Sequence, residues 1–200
     1  MTAREQLRPD VLARRESFFE ELEHVPLRDV VVLDESYATT QFTRLRGRAA
    51  RGVRLVDRVP HGHWKLLTVL AAITTQGVVA AATVDAATDG DVFRTFVRDA
   101  LVPALRRGQV VVMDNLAAHK VAGVREMIER AGCRPVYLPP YSPDFSPIEN
   151  MWSKLKQALR SRAARAVDAL SEAVGAALAT ITTSDCSGYF RHCGYTLHLK

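Results

Sequence analysis

Two short apolar runs each end in an aspartate, Val30-Val31-Val32-Leu33-Asp34 and Val110-Val111-Val112-Met113-Asp114, and a third acid follows in Ser146-Pro147-Ile148-Glu149. Three carboxylates offer hard oxygen donors. They suit Mg²⁺ or Mn²⁺, ions that keep waters for substrate phosphate oxygens to replace. Two such ions about 4 Å apart can activate an attacking hydroxyl and stabilise the leaving oxygen during in-line displacement. The chemistry to expect is metal-dependent phosphoryl transfer, with Asp34 and Asp114 contacting both ions and Glu149 one. Each aspartate alone says little, because an acid closing a buried strand occurs in α/β proteins of every function.

Neither apolar run alternates with polar residues, so each reads as a strand buried on both faces. The acid then sits where the strand leaves the core, and the carboxyl ends of neighbouring strands are where ligands collect in open α/β sheets. Trp64 to Ile73 and Val78 to Val84 are two further β-favouring runs, joined by the turn-like Thr74-Thr75-Gln76-Gly77. Thr88 or Asp89 can cap a helix carrying Val92, Phe93, Phe96, Val97, Ala100 and Leu101, which stops around Pro103 to Gly108. After Asp114 a helix from about Ala118 ends at Gly132, and Pro135 to Leu138 forms a short strand before Pro139-Pro140-Tyr141-Ser142-Pro143. The order is β-β-β-α-β-α-β-α. A charged helix over Arg4 to Leu22 precedes it, and a helix over Val167 to Ile181 leads to an aromatic tail, Tyr189 to His192.

With 200 residues, 48% of them hydrophobic, and no Pro/Gly/Ser-rich break, the chain can build one well-cored domain. We divide it into an N-terminal helical segment, 1–28, and a catalytic domain, 29–200. No segment approaches the roughly 20 apolar residues of a membrane span, and Met1 to Arg15 is too charged for a signal peptide. A cytoplasmic protein without membrane partners is expected. Lys and Arg exceed Asp and Glu by 27 to 22, a formal charge of +5 that favours polyanionic partners. Three cysteines, Cys133, Cys186 and Cys193, lack a CxxC pair and support neither a disulfide framework nor a zinc site.

Glu149 has two readings. With Ser146 as N-cap and Pro147 at the first helical position it completes a capping box and only ties off backbone donors. Alternatively, as a rigid helix-start carboxylate, it points toward Asp34 and Asp114. Beyond it, Ile148, Trp152, Leu155 and Leu159 form an apolar stripe, while Ser153, Lys156 and Arg160 follow the acid at helical spacing. Positive charge leading away from a metal carboxylate suits a phosphate backbone, so Lys156 and Arg160 are candidate DNA contacts. So are Arg44, Arg46, Arg48 and Arg51 in the exposed basic loop or hairpin after the first strand, although arginines there also simply keep a loop soluble. His61 and His63 read as solvent-facing, and Trp152 as core. Tyr141 and Phe145 either anchor the proline-rich loop or stack on an unpaired base.

Three strings carry a family likeness: Val32-Leu33-Asp34-Glu35; Val111-Val112-Met113-Asp114-Asn115 with His119-Lys120; and Leu138-Pro139-Pro140-Tyr141-Ser142-Pro143-Asp144-Phe145-Ser146-Pro147-Ile148-Glu149-Asn150-Met151-Trp152. Together they closely resemble bacterial insertion-sequence transposases of the mariner-type superfamily. Thirty-four residues separate Asp114 from Glu149, the spacing of that family's second and third metal-binding acids. The resemblance runs from roughly Val30 to Tyr195. It implies an α/β, RNase H-like fold, a mixed five-stranded sheet flanked by helices. It further implies a DDE transposase that cuts DNA at transposon ends and joins the freed 3′ hydroxyl to target DNA. By this likeness Asp34, Asp114 and Glu149 are the metal-binding catalytic triad, served by Mg²⁺ or Mn²⁺ as two ions, and Asn115 and His119 match a recurrent flanking pattern. Glu35, the nearest competing acid, is one strand position away and faces the opposite side.

Family members carry helix-turn-helix modules before the catalytic domain, and the stretch before Asp34 is too short for them. A separate or frameshift-joined polypeptide would then supply end recognition, or the chain is a truncated copy. A homodimer holding two DNA ends, in a bacterial cytoplasm and on the nucleoid when bound, is the corresponding expectation. Two alternatives stay open: an RNase H-like nuclease that cleaves without joining, and an inactive remnant acting by DNA binding or assembly interference. A phosphatase is disfavoured, since neither a P-loop nor a phosphatase nucleophile motif is visible.

Overall fold

The apolar runs become strands because helices cover them on both sides. In the computed structural model, which describes residues 4–86, 89–115 and 123–198, strands β1 (Val30–Thr39), β2 (Leu66–Thr74), β3 (Gly77–Val84), β4 (Val110–Met113) and β5 (Arg134–Tyr137) form one sheet. Its order is β3-β2-β1-β4-β5. The first three strands make an antiparallel meander, while β4 and β5 run parallel to β1, so the sheet is mixed and five-stranded as expected.

Eight helices among the described residues flank it: α1 (Pro9–Leu22), α2 (Gly90–Phe96), α3 (Val102–Ala104), α4 (Val124–Arg130), α5 (Pro147–Arg162), α6 (Val167–Leu178), α7 (Thr183–His192) and α8 (Tyr195–His198). Asp89 caps α2 through the Asp91 and Val92 amides; Thr88 lies outside the described residues. A π-helical turn, Val97–Leu101, joins α2 to α3. Pro103 follows it and has no N–H to donate into the helical ladder. Within the described residues α4 begins only at Val124, after Gly123 at φ 93. The tail read as merely aromatic folds instead as α7 and α8, with Phe190 and Tyr195 buried.

Alternation along each strand sorts the core into two layers. Val30, Val32, Val110 and Val112 face α1, α5, α6 and α7, while Val31, Leu33, Val111 and Met113 face α2, α4 and the π turn. Asp34 and Asp114 continue the first series and therefore belong to the α5 face. Leu33 stands opposite Met113 across the parallel β1–β4 pair, so Asp34 comes beside Asp114. Asp114 follows the end of β4, but Asp34 does not close its strand as the sequence suggested, because β1 runs on to Thr39 and Asp34 pairs with Ala71 of β2.

Helix α7 starts with a reciprocal cap: Thr182 Oγ1 accepts from the Asp185 amide, and the Asp185 carboxylate accepts from the Thr182 amide. Hydrogen bonds from Lys154 first, then from the Thr182 amide and hydroxyl, hold the Asp185 carboxyl at about 2. Because this carboxyl is held below its ordinary value, its stabilising contribution is present above about pH 4 and is lost as pH falls toward 2. Thr182→Ala is expected to cost about 1 kcal/mol, lowering the melting temperature at neutral pH by about 2–4 °C. Thermal melts at pH 7 and pH 2.5 check this, and the difference should shrink at the lower pH.

Candidate active site

A cleft of about 480 Å³ opens where the carboxyl end of β4 meets the middle of β1. Asp34, Asp114 and Glu149 all line it, together with Leu33, Asn115, Ser146 and the segment from Leu138 to Pro143. Asp34 and Asp114 are half-buried and Glu149 is exposed at the first turn of α5. Trp152 Nε1 donates to Asp34 Oδ2 at 2.9 Å. Burial pushes the Asp34 carboxyl up to about 7; the Trp152 hydrogen bond opposes this, and the charges of Glu149 and Glu35 add to it.

The capping box considered as one of two readings at α5 does not form. Ser146 occupies the N-cap position with Pro147 behind it, yet its side chain caps no helical amide, and its own amide donates to the Pro143 carbonyl. No hydrogen bond to the Glu149 carboxylate is found among the described residues, and the side chain turns to the cleft. The bland reading of Glu149 therefore loses its structural basis.

Among the described residues no three His, Cys, Asp or Glu side chains close into a ready-made metal cage. The donor set nonetheless fits a hard divalent cation. It consists of carboxylates alone, it lies at a cleft open to substrate oxygens, and burial first, with the charge of Glu149 adding to it, raises Asp34 in a way that a cation would relieve.

The proline-rich wall of the cleft is fastened from behind. Phe145 packs on Phe18 and Phe19 at ring-centroid distances of 5.8 and 4.9 Å, and its carbonyl accepts from Tyr195 Oη at 3.0 Å. Anchoring, of the two roles considered for Phe145, is what the structure shows. Tyr141 sits at the cleft rim, 48% exposed, with φ 57.

The predicted cationic contacts divide. Arg44, Arg46, Arg48 and Arg51 are exposed on the segment between β1 and β2, which has no strand of its own and does not line the cleft. Lys156 is close to the acids: Glu149 and Asp34 act on it electrostatically, although burial is the larger influence and lowers it. Its Nζ lies 4.8 Å from the Tyr37 ring, and with Glu149 and Trp152 it lines an adjoining hollow of about 520 Å³. Arg160 stands farther along α5, its guanidinium 4.9 Å from the Phe42 ring at the root of the basic segment. Arg165 donates to the Thr40 and Phe42 carbonyls there, at 2.7 and 2.9 Å.

His61 and His63 are exposed, and all three cysteines are buried and free. His119 and Lys120 lie outside the described residues, and Asn115 is exposed beside Asp114 on the cleft. Two contributions escaped the sequence reading. The Trp152 indole N–H was one, although its place three residues after Glu149 on a helix was a readable signal. The other is the grip of α1 on the cleft wall, between residues with no sequence proximity.

Residues 29–171 match the family model described as DDE superfamily endonuclease. Among solved structures, the chain is similar to the Mos1 transposase paired-end complex with left transposon end, with TM-score 0.73 and 17% identity over 96% of this chain and 61% of that one. It is similar to the catalytic domain of Mos1 mariner transposase, with TM-score 0.69 and 16% identity over 96% of this chain and 90% of that one. A third likeness is to the Mos1 mariner paired-end complex with Mn, with TM-score 0.73 and 17% identity over 94% and 59% of the two chains; the complex with Mg is similar too. The chain thus spans about three-fifths of the paired-end-complex chains it matches. Among curated proteins none matches. The shared fold is the RNase H-like α/β architecture expected from the motifs.

Proposed function

The chain belongs to the DDE superfamily endonucleases, and from that premise we propose that it is a transposase catalytic domain that cleaves transposon ends and transfers the freed strand into target DNA. The observation carrying this reading is the meeting of Asp34, Asp114 and Glu149 on one cleft, from the middle of β1, the end of β4 and the start of α5. That the Mos1 complexes are described with Mn and with Mg supports a divalent cation here.

In the proposed reading, Asp34, Asp114 and Glu149 hold the cation, as two ions. When bound, Mg²⁺ or Mn²⁺ supplies Lewis acidity at the scissile phosphate. The chain does the rest. Trp152 fixes one oxygen of Asp34, the Ser146–Glu149 turn presents the third acid, and the proline-rich wall limits water at the reacting phosphate. Lys156 offers positive charge to the phosphate chain beside the acids, while Arg44, Arg46, Arg48 and Arg51, with Arg160 at the root of their segment, hold DNA farther out. The finer reading is a bacterial insertion-sequence enzyme of the cytoplasm and nucleoid. It works as a homodimer that brings two ends together, with end recognition from helix-turn-helix modules. No helix among the described residues is long and apolar enough to cross a membrane.

Supercoiled plasmid incubated with the protein and Mg²⁺ or Mn²⁺ tests the proposal, with a chelator as control. Nicked and joined products that vanish with the chelator are expected. Metal-dependent nicking without any joined product would favour an RNase H-like nuclease that only cuts, and products indifferent to chelation would overturn the metal-site reading.

A further inference from the structure

Helix α1 reaches the cleft only through the loop that forms its wall. Arg15 Nη1 donates to Ser142 Oγ at 2.8 Å and to Asp144 Oδ1 at 3.0 Å, and Nη2 donates to Asp144 Oδ2 at 2.6 Å. The guanidinium carbon lies 3.9 Å from the Phe145 ring centroid. Before the helix, Gln6 Nε2 donates to the Tyr141 carbonyl at 2.6 Å and to Asp144 Oδ1 at 3.1 Å. Tyr141, Ser142, Asp144 and Phe145 are thereby all held by one N-terminal segment.

This loop needs such a grip. Tyr141 takes a left-handed conformation that costs a non-glycine residue energy and persists only when its surroundings enforce it. Pro139, Pro140 and Pro143 lack amide donors, so the loop cannot brace itself with a backbone ladder. The Arg15 side chain is only 17% exposed, and a planar fork meeting both carboxylate oxygens is the ion-pair geometry that fixes position as well as charge. Five residues after Asp144 comes Glu149, with Ser142, Ser146 and Glu149 all on the cleft.

We propose that Arg15 is a positioning residue for the cleft: by holding Asp144, Ser142 and Phe145 it fixes the proline-rich wall and sets where Glu149 stands relative to Asp34. The proposal rests on the metal-site reading of the three acids and extends it to a helix that contributes no acid to the cleft. Lysine is a poor substitute, since a point charge cannot bridge Ser142 and both Asp144 oxygens while covering the Phe145 face.

The test is metal-dependent plasmid nicking by the full chain carrying Arg15→Gln, Arg15→Lys, Asp144→Asn or the Arg15→Gln/Asp144→Asn pair, with melting temperatures alongside. Arg15→Gln should raise the Mn²⁺ concentration for half-maximal nicking, and lower kcat, by about tenfold each, within the 10–100-fold range of residues that orient metal ligands. KM for DNA should stay within about twofold. Arg15→Lys should fall between, and the double variant should be no worse than the poorer single one, as for residues acting as a unit. If Arg15→Gln does not fold, Asp144→Asn carries the same measurement with less loss of packing. Unchanged kcat and Mn²⁺ half-saturation, even with a lowered melting temperature, would overturn the proposal, as would additive losses in the double variant. Nicking that Asp114→Asn abolishes but Arg15 variants do not affect removes only the Arg15 role. Nicking indifferent to Asp114→Asn removes the metal-site reading and this proposal together.

Discussion

Asp34→Asn is expected to melt higher than the wild type without metal and yet to cut DNA about a thousandfold more slowly. The stability half follows from the carboxyl held at about 7 by burial. Between about pH 4 and pH 7 the folded protein binds a proton there that the unfolded chain has released, so the metal-free fold loses stability as pH rises through this window. The gap corresponds to at most on the order of 4 kcal/mol, reduced in practice because the group opens partly onto a wet cleft. Asn removes the charge, keeps the size and still accepts from Trp152 Nε1. The activity half follows from losing one ligand of the proposed cation: several kcal/mol of transition-state stabilisation, at tenfold per 1.36 kcal/mol, is about a thousandfold. Melts at pH 8 and pH 5, with and without Mg²⁺, separate the contributions. The variant's advantage should shrink at pH 5, and Mg²⁺ should raise the melting temperature of the wild type alone. A variant that melts lower than wild type at pH 8 without metal would show that Asp34 is not a buried, strained charge.

Strands β1 and β4 are legible because unbroken apolar runs admit few other structures, and the acids that follow those runs come with them, although β1 continues past Asp34 to Thr39. What the residues cannot announce is register. Asp34 and Asp114 are neighbours only because Leu33 pairs with Met113, and that parallel match is imposed by the crossover through α2 and α3. Glu149 was ambiguous for a local reason: Ser-Pro-x-Glu suits a helix cap as well as a presented carboxylate, and only the missing Ser146 cap hydrogen bond separates them. Helix α7 did carry a readable sign, the Thr182-to-Asp185 capping box, although the segment after Ile181 was read only as an aromatic tail. For Arg15 and Asp144 there was none, because 129 positions of sequence separate a pair that only the packing of Phe18 and Phe19 on Phe145 brings together. The basic segment after β1 was rightly expected to be exposed, but its exposed Leu45, Val53, Leu55, Val56 and Val59 show that solubility alone does not explain it.

Trp152 joins the core to the chemistry, and two substitutions should pull these roles apart. The side chain is 2% exposed within the apolar layer beneath α5, and its N–H, ahead of the Glu35 amide, favours ionised Asp34. Trp152→Ala should cost about 3–5 kcal/mol through the cavity it leaves, a large share of the roughly 5–15 kcal/mol that holds a domain folded, and calorimetry should show a drop of about 10 °C or more. Trp152→Phe keeps most of the volume and loses only the donor. A hydrogen bond to a charged group is worth about 1.5–3 kcal/mol, so without it the Asp34 carboxyl should climb above 7 by about one pH unit or more. More protons then compete with the cation at any given pH. The acidic limb of the pH–rate profile for metal-dependent nicking should accordingly shift upward by about one unit, with rates approaching wild type near pH 9. A Trp152→Phe protein that is stable and keeps the wild-type acidic limb would mean that the indole serves packing alone, and that Asp34 is held for the metal by β1 and the Glu35 amide.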